Sequence, residues 1–307
     1  VSVNYRDQGL ACLVMICRIA GARTFDEFWQ MLDQEKDMFS EIPEERWDWR
    51  ELPCVSKWGC LIADADQFDA LFFGISPAEA MYMTPEQRLM MQYVWECIEN
   101  AGCGGEDVRG NNTGLFIGCG PSGYSFLLSD LPTEAYSATG SVPSVGPNRI
   151  NYFMDWRGPS HPIDTACSSA LVAAHRAVEA IRAGHCEQAI AGGVNLLLAS
   201  DGYVSFSKSG MLCEDGRCKT FSNKANGYVR GEGVGMLMLK PLKAARADGN
   251  IIHALVKGTA ENHGGRTNSL TAPNPRGQAS VIKQAVKDAG IDFSRVSYVE
   301  CHGTGTE

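Results

Sequence analysis

The sequence predicts an α/β fold. Two observations carry that expectation: short apolar runs of strand length alternate with amphipathic stretches of helical period, and most of the helical stretches open on a readable start signal. With 307 residues, 44% hydrophobic and 21% charged, the chain can bury a sizeable core, and no repeat, low-complexity linker or charge block divides it. One compact unit is the simplest organisation.

The first apolar run, Leu10–Cys17, reads as a buried strand. Thr24-Phe-Asp-Glu27 then forms a capping box, followed by Phe25, Phe28, Trp29 and Leu32 on one helical face. Ser76-Pro-Ala-Glu79 and Thr84-Pro-Glu-Gln87 each place proline at the first helical position. The second opens a long helix with Leu89, Met90, Tyr93, Val94, Cys97 and Ile98 as its stripe, ending at Gly102. Leu115–Gly118 reads as a strand, and residues 119–147, rich in Gly, Ser and Pro, as irregular connection around a short helix. Gln188–Val194, Val234–Leu239, Ile252–Glu261 and Val296–Cys301 are further strand candidates. Gln278–Ala289 is a predicted helix with Val281, Ile282, Ala285, Val286 and Ala289 inward.

Composition excludes several function classes. A net charge of −9 offers no basic surface for nucleic acid, though a local basic patch for an acidic carrier protein is compatible with it. The longest apolar runs are strand-sized, too short to cross a bilayer, and VSVNYRDQGL lacks the layout of a secretory signal; a cytoplasmic protein is expected. Twelve cysteines without a CxxC pair fit neither a disulfide framework nor a zinc site, so most are expected reduced and buried.

One cysteine stands apart. In Gly158-Pro-Ser-His-Pro-Ile-Asp-Thr-Ala-Cys-Ser-Ser-Ala170, Cys167 sits where a turn enters a helix whose inward stripe is Leu171, Ala174, Val178 and Ile181, with Gly184 as its stop. Exposed amides and the positive end of the helix dipole stabilise a thiolate there, and small neighbours leave room for a substrate. Such a cysteine suits covalent acyl transfer. A buried structural cysteine at a helix start is the commoner case, and the residues around Cys167 do not by themselves overturn it. Val299-Glu-Cys-His-Gly-Thr-Gly-Thr306 places His302 at a strand end in a Gly/Thr-rich turn. A lone histidine is more often a hydrogen-bonded core residue. The two together nonetheless fit Cys/His nucleophilic catalysis. Gly227–Gly235 resembles a nucleotide-binding glycine loop only superficially, because the strand follows it; Arg230 and Glu232 are expected to pair structurally.

DTACSS with its small-residue helix closely resembles the active-site cysteine motif of β-ketoacyl synthases (ketosynthases), and CHGTGT resembles their first catalytic histidine motif. FFGISPAEA, TPEQRLMMQYVWE, GRCKTFSNKANGYVRGEG and NSLTAPNP stand in the order found in ketosynthase domains of modular type I polyketide synthases. The resemblance covers residues 9–307. ENHGG at 261–265 is similar to ketosynthases served by a separate (trans) acyltransferase.

The resemblance implies a thiolase-like fold, five layers in α-β-α-β-α order, here with an incomplete second half: residues 1–250 would form the first half and 251–307 the beginning of the second. It implies that Cys167 accepts an acyl chain from the phosphopantetheine arm of an acyl carrier protein, with no cofactor bound directly and no metal. A malonyl-type extender on a carrier protein then loses CO2 and attacks the thioester. His302 matches the histidine that assists decarboxylation and stabilises the enolate, and Thr271, Thr304 and Thr306 match hydroxyls that hold the pantetheine arm. For those threonines, satisfying backbone groups of Gly-rich turns is an equal alternative. The Cys167 N–H would be one oxyanion-hole donor. A decarboxylating loading domain carries glutamine at the position of Cys167. Implied partners are acyl carrier protein, other polyketide synthase domains and a second copy of the chain, with neither nucleic acid nor membrane.

Departures from the family pattern are also legible. The second catalytic histidine in an Asn-x-Gly-His context, its adjacent lysine and a Gly-Phe-Gly-Gly loop are not in the sequence, so the chain as written is not expected to condense substrates alone. Val14, Ile16 and Ala20 replace the usual Gly, Ser and Pro, which predicts an altered loop after the first strand. A split or degenerate half serving as scaffold or carrier-docking unit is the alternative, although retention of Cys167 and His302 speaks against it. A thiolase of other function is disfavoured by GRCKTF and HGTGT.

Overall fold

The computed structural model describes residues 9–53, 56–104 and 106–306. Its main sheet has six strands in the order β5-β4-β6-β8-β1-β9, where β1 is Leu10–Ile19, β4 Thr113–Cys119, β5 Ser160–Ile163, β6 Gln188–Asn195, β8 Gly233–Pro241 and β9 Ala254–Val256. The pairs β4–β5 and β4–β6 are parallel; β6–β8, β8–β1 and β1–β9 are antiparallel. A second, three-stranded sheet joins β2 (Ser40–Glu41), β3 (Trp58–Cys60) and β7 (Arg230–Gly231).

Period-two alternation sends the strands' side chains into two cores, as expected for a sheet covered on both faces. On one face Leu115, Ile117, Ile190, Met236 and Met238 pack under α3 (Pro85–Asn100) and α6 (Val145–Met154). On the other, Cys12, Phe116, Ala189, Ala191 and Leu239 meet α7 (Ser169–Arg182) through Ala173, Ala177, Val178 and Ile181. The register of β1 slips between Cys12 and Val14, a bulge that turns both Leu13 and Val14 toward the α3 side.

Start signals are used as expected. Thr24 and Glu27 close a reciprocal capping box on α1 (Phe25–Asp33). Ser76 caps α2 (Pro77–Tyr82), Thr84 caps α3, and all six stripe residues of α3 are buried. The α1 face is different: Phe25, Trp29 and Leu32 are exposed, and no described helix covers them. Cys167 does precede α7, but Leu171 is 79% exposed; the buried stripe begins at Ala173 instead. β1 runs to Ile19 and closes a tight turn through paired Ile19–Ala22 backbone hydrogen bonds of 2.9 and 3.1 Å, which is where the apolar replacements lengthen the strand.

Four expectations need correction. Residues 119–147 hold two short helices, α4 (Tyr124–Leu127) and α5 (Ser137–Ser141), and the start of α6, whose Gly146-Pro147 reads locally as a breaker. Ile252–Glu261 supplies only the three residues of β9, and Val296–Cys301 forms no strand, leaving Tyr298 and Val299 exposed. A strand needs a neighbour to take its backbone groups, and Val296–Cys301 has none among the described residues. α10 (Pro275–Ala289), capped by Asn274, exposes Ile282 and only half-buries Val281, Ala285, Val286 and Ala289. It reaches α7 through the Arg182–Asp288 ion pair at 2.7 Å. The helices α8 (Asp201–Lys208) and α9 (Leu242–Ala247) complete the fold.

Arg230 and Glu232 do not pair. Glu232 is buried on Arg46, while the Arg230 guanidinium stacks over Tyr203 and Phe206. Side chains two apart on one continuous strand face the same way, but Glu232 lies between β7 and β8 and belongs to neither. Of the cysteines described, Cys12, Cys97, Cys186 and Cys213 are buried, four are half-buried, and Cys167, Cys218 and Cys301 are exposed; all are free thiols. Fewer are buried than expected, because Cys17, Cys60, Cys103 and Cys119 lie at the margins of the core. No helix among the described residues is long and apolar enough to cross a membrane, and no group of three metal-ligating side chains is found among them.

Candidate functional site

The turn between β5 and α7 is held by its own side chains. Asp164 Oδ1 accepts from the Ala166 N–H at 3.1 Å, and Ser169 Oγ accepts from the Thr165 N–H at 2.9 Å. The Ser168 hydroxyl donates to the Thr165 carbonyl at 2.9 Å, and the Ser169 hydroxyl to the Ala166 carbonyl at 2.6 Å. These bonds force Ala166 to φ +56°, a left-handed conformation that costs an L-residue roughly 1–2 kcal/mol. The result is a sharp reversal that leaves the Cys167 side chain exposed at the head of α7. Ala166→Val, which adds a β-branch at that φ, is expected to cost about 2 kcal/mol in urea unfolding, whereas Ala166→Gly should stay within about 1 kcal/mol of the parent.

The sheet presses directly on this turn. A Cβ at Gly118, near the end of β4, would lie 2.6 Å from the Ala170 nitrogen and 2.7 Å from the Ser169 carbonyl carbon. Both are backbone atoms with no freedom to yield. Gly118→Ala is therefore expected to displace the head of α7 and to cost about 1–3 kcal/mol in urea unfolding, the range for overpacking a close backbone contact.

The Gly/Thr-rich segment lies against residues 219–228. The Thr220 hydroxyl donates to the Gly303 carbonyl at 2.5 Å, and the Gly227 N–H to the Gly305 carbonyl at 2.9 Å. Gly305 takes φ +72° with the Lys219 nitrogen 3.0 Å from where a Cβ would stand. Thr304 and Thr306 share a 3.0 Å hydroxyl contact, and His302 is exposed. Next along the chain from Gly227, Tyr228 is held above the usual phenol range by burial, which the Arg230 guanidinium opposes. The segment carrying His302, Thr304 and Thr306 is thus anchored on Thr220 and Gly227. Thr271 is exposed in the turn before α10, and among the described residues it has no hydrogen bond to either motif.

Sequence reasoning missed the surroundings of the turn. Glu86, Cys119 and Asp164 come together at the ends of β4 and β5, where burial, then the Glu86 and Asp164 carboxylates, push the Cys119 thiol up to about 11. Glu86 reads in sequence as a favourable acid in the first turn of a helix; its burial depends on the loop at 120–125 folding over it, which no local signal announces.

A twisted sheet covered on both faces, with a strained turn presenting a cysteine at the head of a central helix, is the architecture of a thiolase-like protein. The family models for the beta-ketoacyl synthase N-terminal domain and C-terminal domain match residues 10–245 and 253–307. The chain belongs to the β-ketoacyl synthase family, as a ketosynthase domain of the modular polyketide synthase kind. It is 49% identical over 313 residues to polyketide synthase PksN of Bacillus subtilis strain 168, covering 99% of this chain and 6% of that protein. To polyketide synthase ThaG of Burkholderia thailandensis it is 42% identical over 308 residues, covering 97% and 6%. Among solved structures, the ketosynthase from module 6 of the bacillaene synthase of Bacillus subtilis 168 superposes with a TM-score of 0.91 at 37% identity, covering 97% of this chain and 51% of that one. The oxazolomycin ketosynthase domain of Streptomyces albus JA3453 gives 0.90 at 37%, covering 98% and 54%. The chain therefore spans a small fraction of these synthases and about half of the solved domains.

Proposed function

We propose that Cys167 is the acyl-accepting nucleophile of a decarboxylative Claisen condensation in polyketide assembly. The observation that carries this reading is the exposed Cys167 side chain on a strained, internally hydrogen-bonded turn at the N-terminus of α7. Its thiolate attacks the thioester carbonyl of an acyl chain on the phosphopantetheine arm of an acyl carrier protein. The carrier thiol leaves and the acyl group stays on Cys167. A malonyl-type extender on a carrier protein then loses CO2; its carbanion attacks the Cys167 thioester, the Cys167 thiolate leaves, and a β-ketoacyl chain two carbons longer remains on the carrier.

His302 donates a hydrogen bond to the developing enolate, which stabilises charge where it forms. The Cys167 N–H serves as an oxyanion donor, and Thr271, Thr304 and Thr306 hold the pantetheine arm. The boundary near residue 250 between two thiolase-like halves, the cytoplasmic setting, a second copy as partner and the other synthase domains as neighbours belong to the same reading. The gap between the two family-model matches supports the boundary.

The test is incubation of the protein with an acyl-pantetheine thioester, followed by intact and peptide mass spectrometry. A single adduct on the peptide bearing Cys167 is expected. Label on Cys218 or Cys301, the other exposed cysteines among the described residues, would reflect mere accessibility and overturn the assignment. A folded protein with no adduct would favour the scaffold or carrier-docking role instead.

A further inference from the structure

Phe221 holds a backbone conformation that its residue type resists. It is the third residue of a four-residue turn, closed by the Ser222 N–H on the Lys219 carbonyl at 3.1 Å, and its φ is +60°. Glycine or asparagine is usual at such a position, because a Cβ crowds the backbone there. Among the described non-glycine residues with positive φ, Glu35, Asp64 and Asp155 are acids, and Ala166 belongs to the Cys167 turn. Phe221 alone is aromatic.

Packing does not offset this strain. Phe221 is 87% exposed, so its ring gains almost nothing from burial. A singly exposed apolar residue needs no explanation, but one held at positive φ without a packing gain does. The surrounding loop is firmly tied: the Lys219 ammonium donates to Asp215 at 2.8 Å, and the Lys224 and Ala225 N–H groups donate to the Ser222 hydroxyl and carbonyl, both at 3.1 Å.

The neighbourhood of the turn gives the strain a use. The Thr220 hydroxyl binds the Gly303 carbonyl, and the Lys219 and Thr220 nitrogens lie 3.0 and 3.4 Å from where a Cβ at Gly305 would stand. Residues 219–220 thus lie flush on the backbone of 303–305, and Phe221 follows directly, exposed like His302 and Thr306. From His302 to Thr306 the segment has imidazole, hydroxyls and glycines but no large apolar side chain. A pantetheine arm needs both kinds of contact, because it carries amides along its length and a dimethyl-substituted carbon in its pantoyl portion.

Resting on the reading of Cys167 as acyl acceptor and of the threonine-bearing turn as the arm's site, we propose that Phe221 is a binding residue for the carrier arm, its ring receiving the dimethyl-bearing pantoyl portion. The strain is retained because the ring is covered only when the arm is bound.

The test compares acylation by an acyl-pantetheine thioester with acylation by the N-acetylcysteamine thioester of the same acyl group, which lacks the pantoyl portion, each followed by intact mass. The native protein is expected to favour the pantetheine thioester at least about fivefold. Phe221→Ala should bring that ratio within about twofold, and Phe221→Leu should keep part of it. Equal ratios in native protein and Phe221→Ala overturn the inference. Phe221→Gly should unfold at a higher urea concentration than native protein, since the turn relaxes and no buried ring is lost. A lower midpoint would make the ring a structural element and overturn the binding role. Calorimetric binding of an unreactive acyl-pantetheine amide separates this inference from the Cys167 assignment. Weaker binding to Phe221→Ala without any acylation of native protein would sink the nucleophile and keep the Phe221 contact. Acylation of native protein with amide binding unchanged by Phe221→Ala, or no amide binding at all, would sink the contact alone.

Discussion

Replacing Cys167 by alanine is expected to abolish the acyl adduct, lowering the acylation rate by at least about 10³-fold, while His302→Ala leaves adduct formation within a fewfold of the parent. The asymmetry follows from the proposed roles. Acyl transfer to the protein requires the thiolate, because no other group at the turn forms a thioester. His302 acts at the later step, on the extender. The structure also makes Cys167→Ala structurally mild: the side chain is exposed, and the turn is held by Asp164, Thr165, Ser168 and Ser169 rather than by the thiol. Unfolding in urea should therefore shift little, so a lost adduct reports lost chemistry. Intact mass spectra of both variants, taken with the same thioester, check the contrast; an undiminished adduct in Cys167→Ala would place the acyl group elsewhere.

The largest effect on stability is expected at Glu232. Its side chain is fully buried and accepts from both terminal nitrogens of Arg46 at 3.1 Å, from the Ile62 N–H at 3.0 Å and from the Leu197 N–H at 2.8 Å. One carboxylate thus ties the loop at 46, the end of β3, the segment after β6 and the start of β8. Glu232→Ala leaves the Ile62 and Leu197 N–H groups without their acceptor and the Arg46 charge without its counter-ion, held only by the Leu197 and Ile62 carbonyls, a loss of about 3–5 kcal/mol in urea unfolding. Arg46→Met should cost a similar amount near pH 8. Burial raises the Glu232 carboxyl and Arg46 opposes that rise; without Arg46 the folded value climbs further above the unfolded one. A raised carboxyl favours the fold most below its unfolded pKa, about 4.3, and loses that contribution as pH rises through the folded value. The Arg46→Met deficit should accordingly shrink as pH is lowered from about 8 to about 5. A deficit independent of pH would mean that Arg46 acts through packing alone.

Much of the fold was legible because its signals are local. Thr24 with Glu27, Ser76-Pro77 and Thr84-Pro85 start helices through bonds that span three residues, and the α3 stripe buries as its spacing requires. The strands β1, β4, β6 and β8 announce themselves as apolar runs because both faces of their sheet are covered. α6 was hidden by Gly146-Pro147, and Val296–Cys301 looked like a strand without being one. Strand formation is decided by a neighbour, which composition does not encode.

The site divides in the same way. The sequence by itself determined that Cys167 heads a helix, that His302, Thr304 and Thr306 share a glycine-rich turn, and that both segments belong to a ketosynthase, since these facts depend on adjacent residues and motif order. Only the tertiary structure decided that Arg46 rather than Arg230 meets Glu232, that Thr220 and Gly227 bond to the Gly303 and Gly305 carbonyls, and that Glu86 is buried beside Cys119 and Asp164. Those partners are separated by tens to hundreds of residues, and their contacts exist only after loops close and water leaves. Burial, unlike capping or periodicity, is a property of the whole chain.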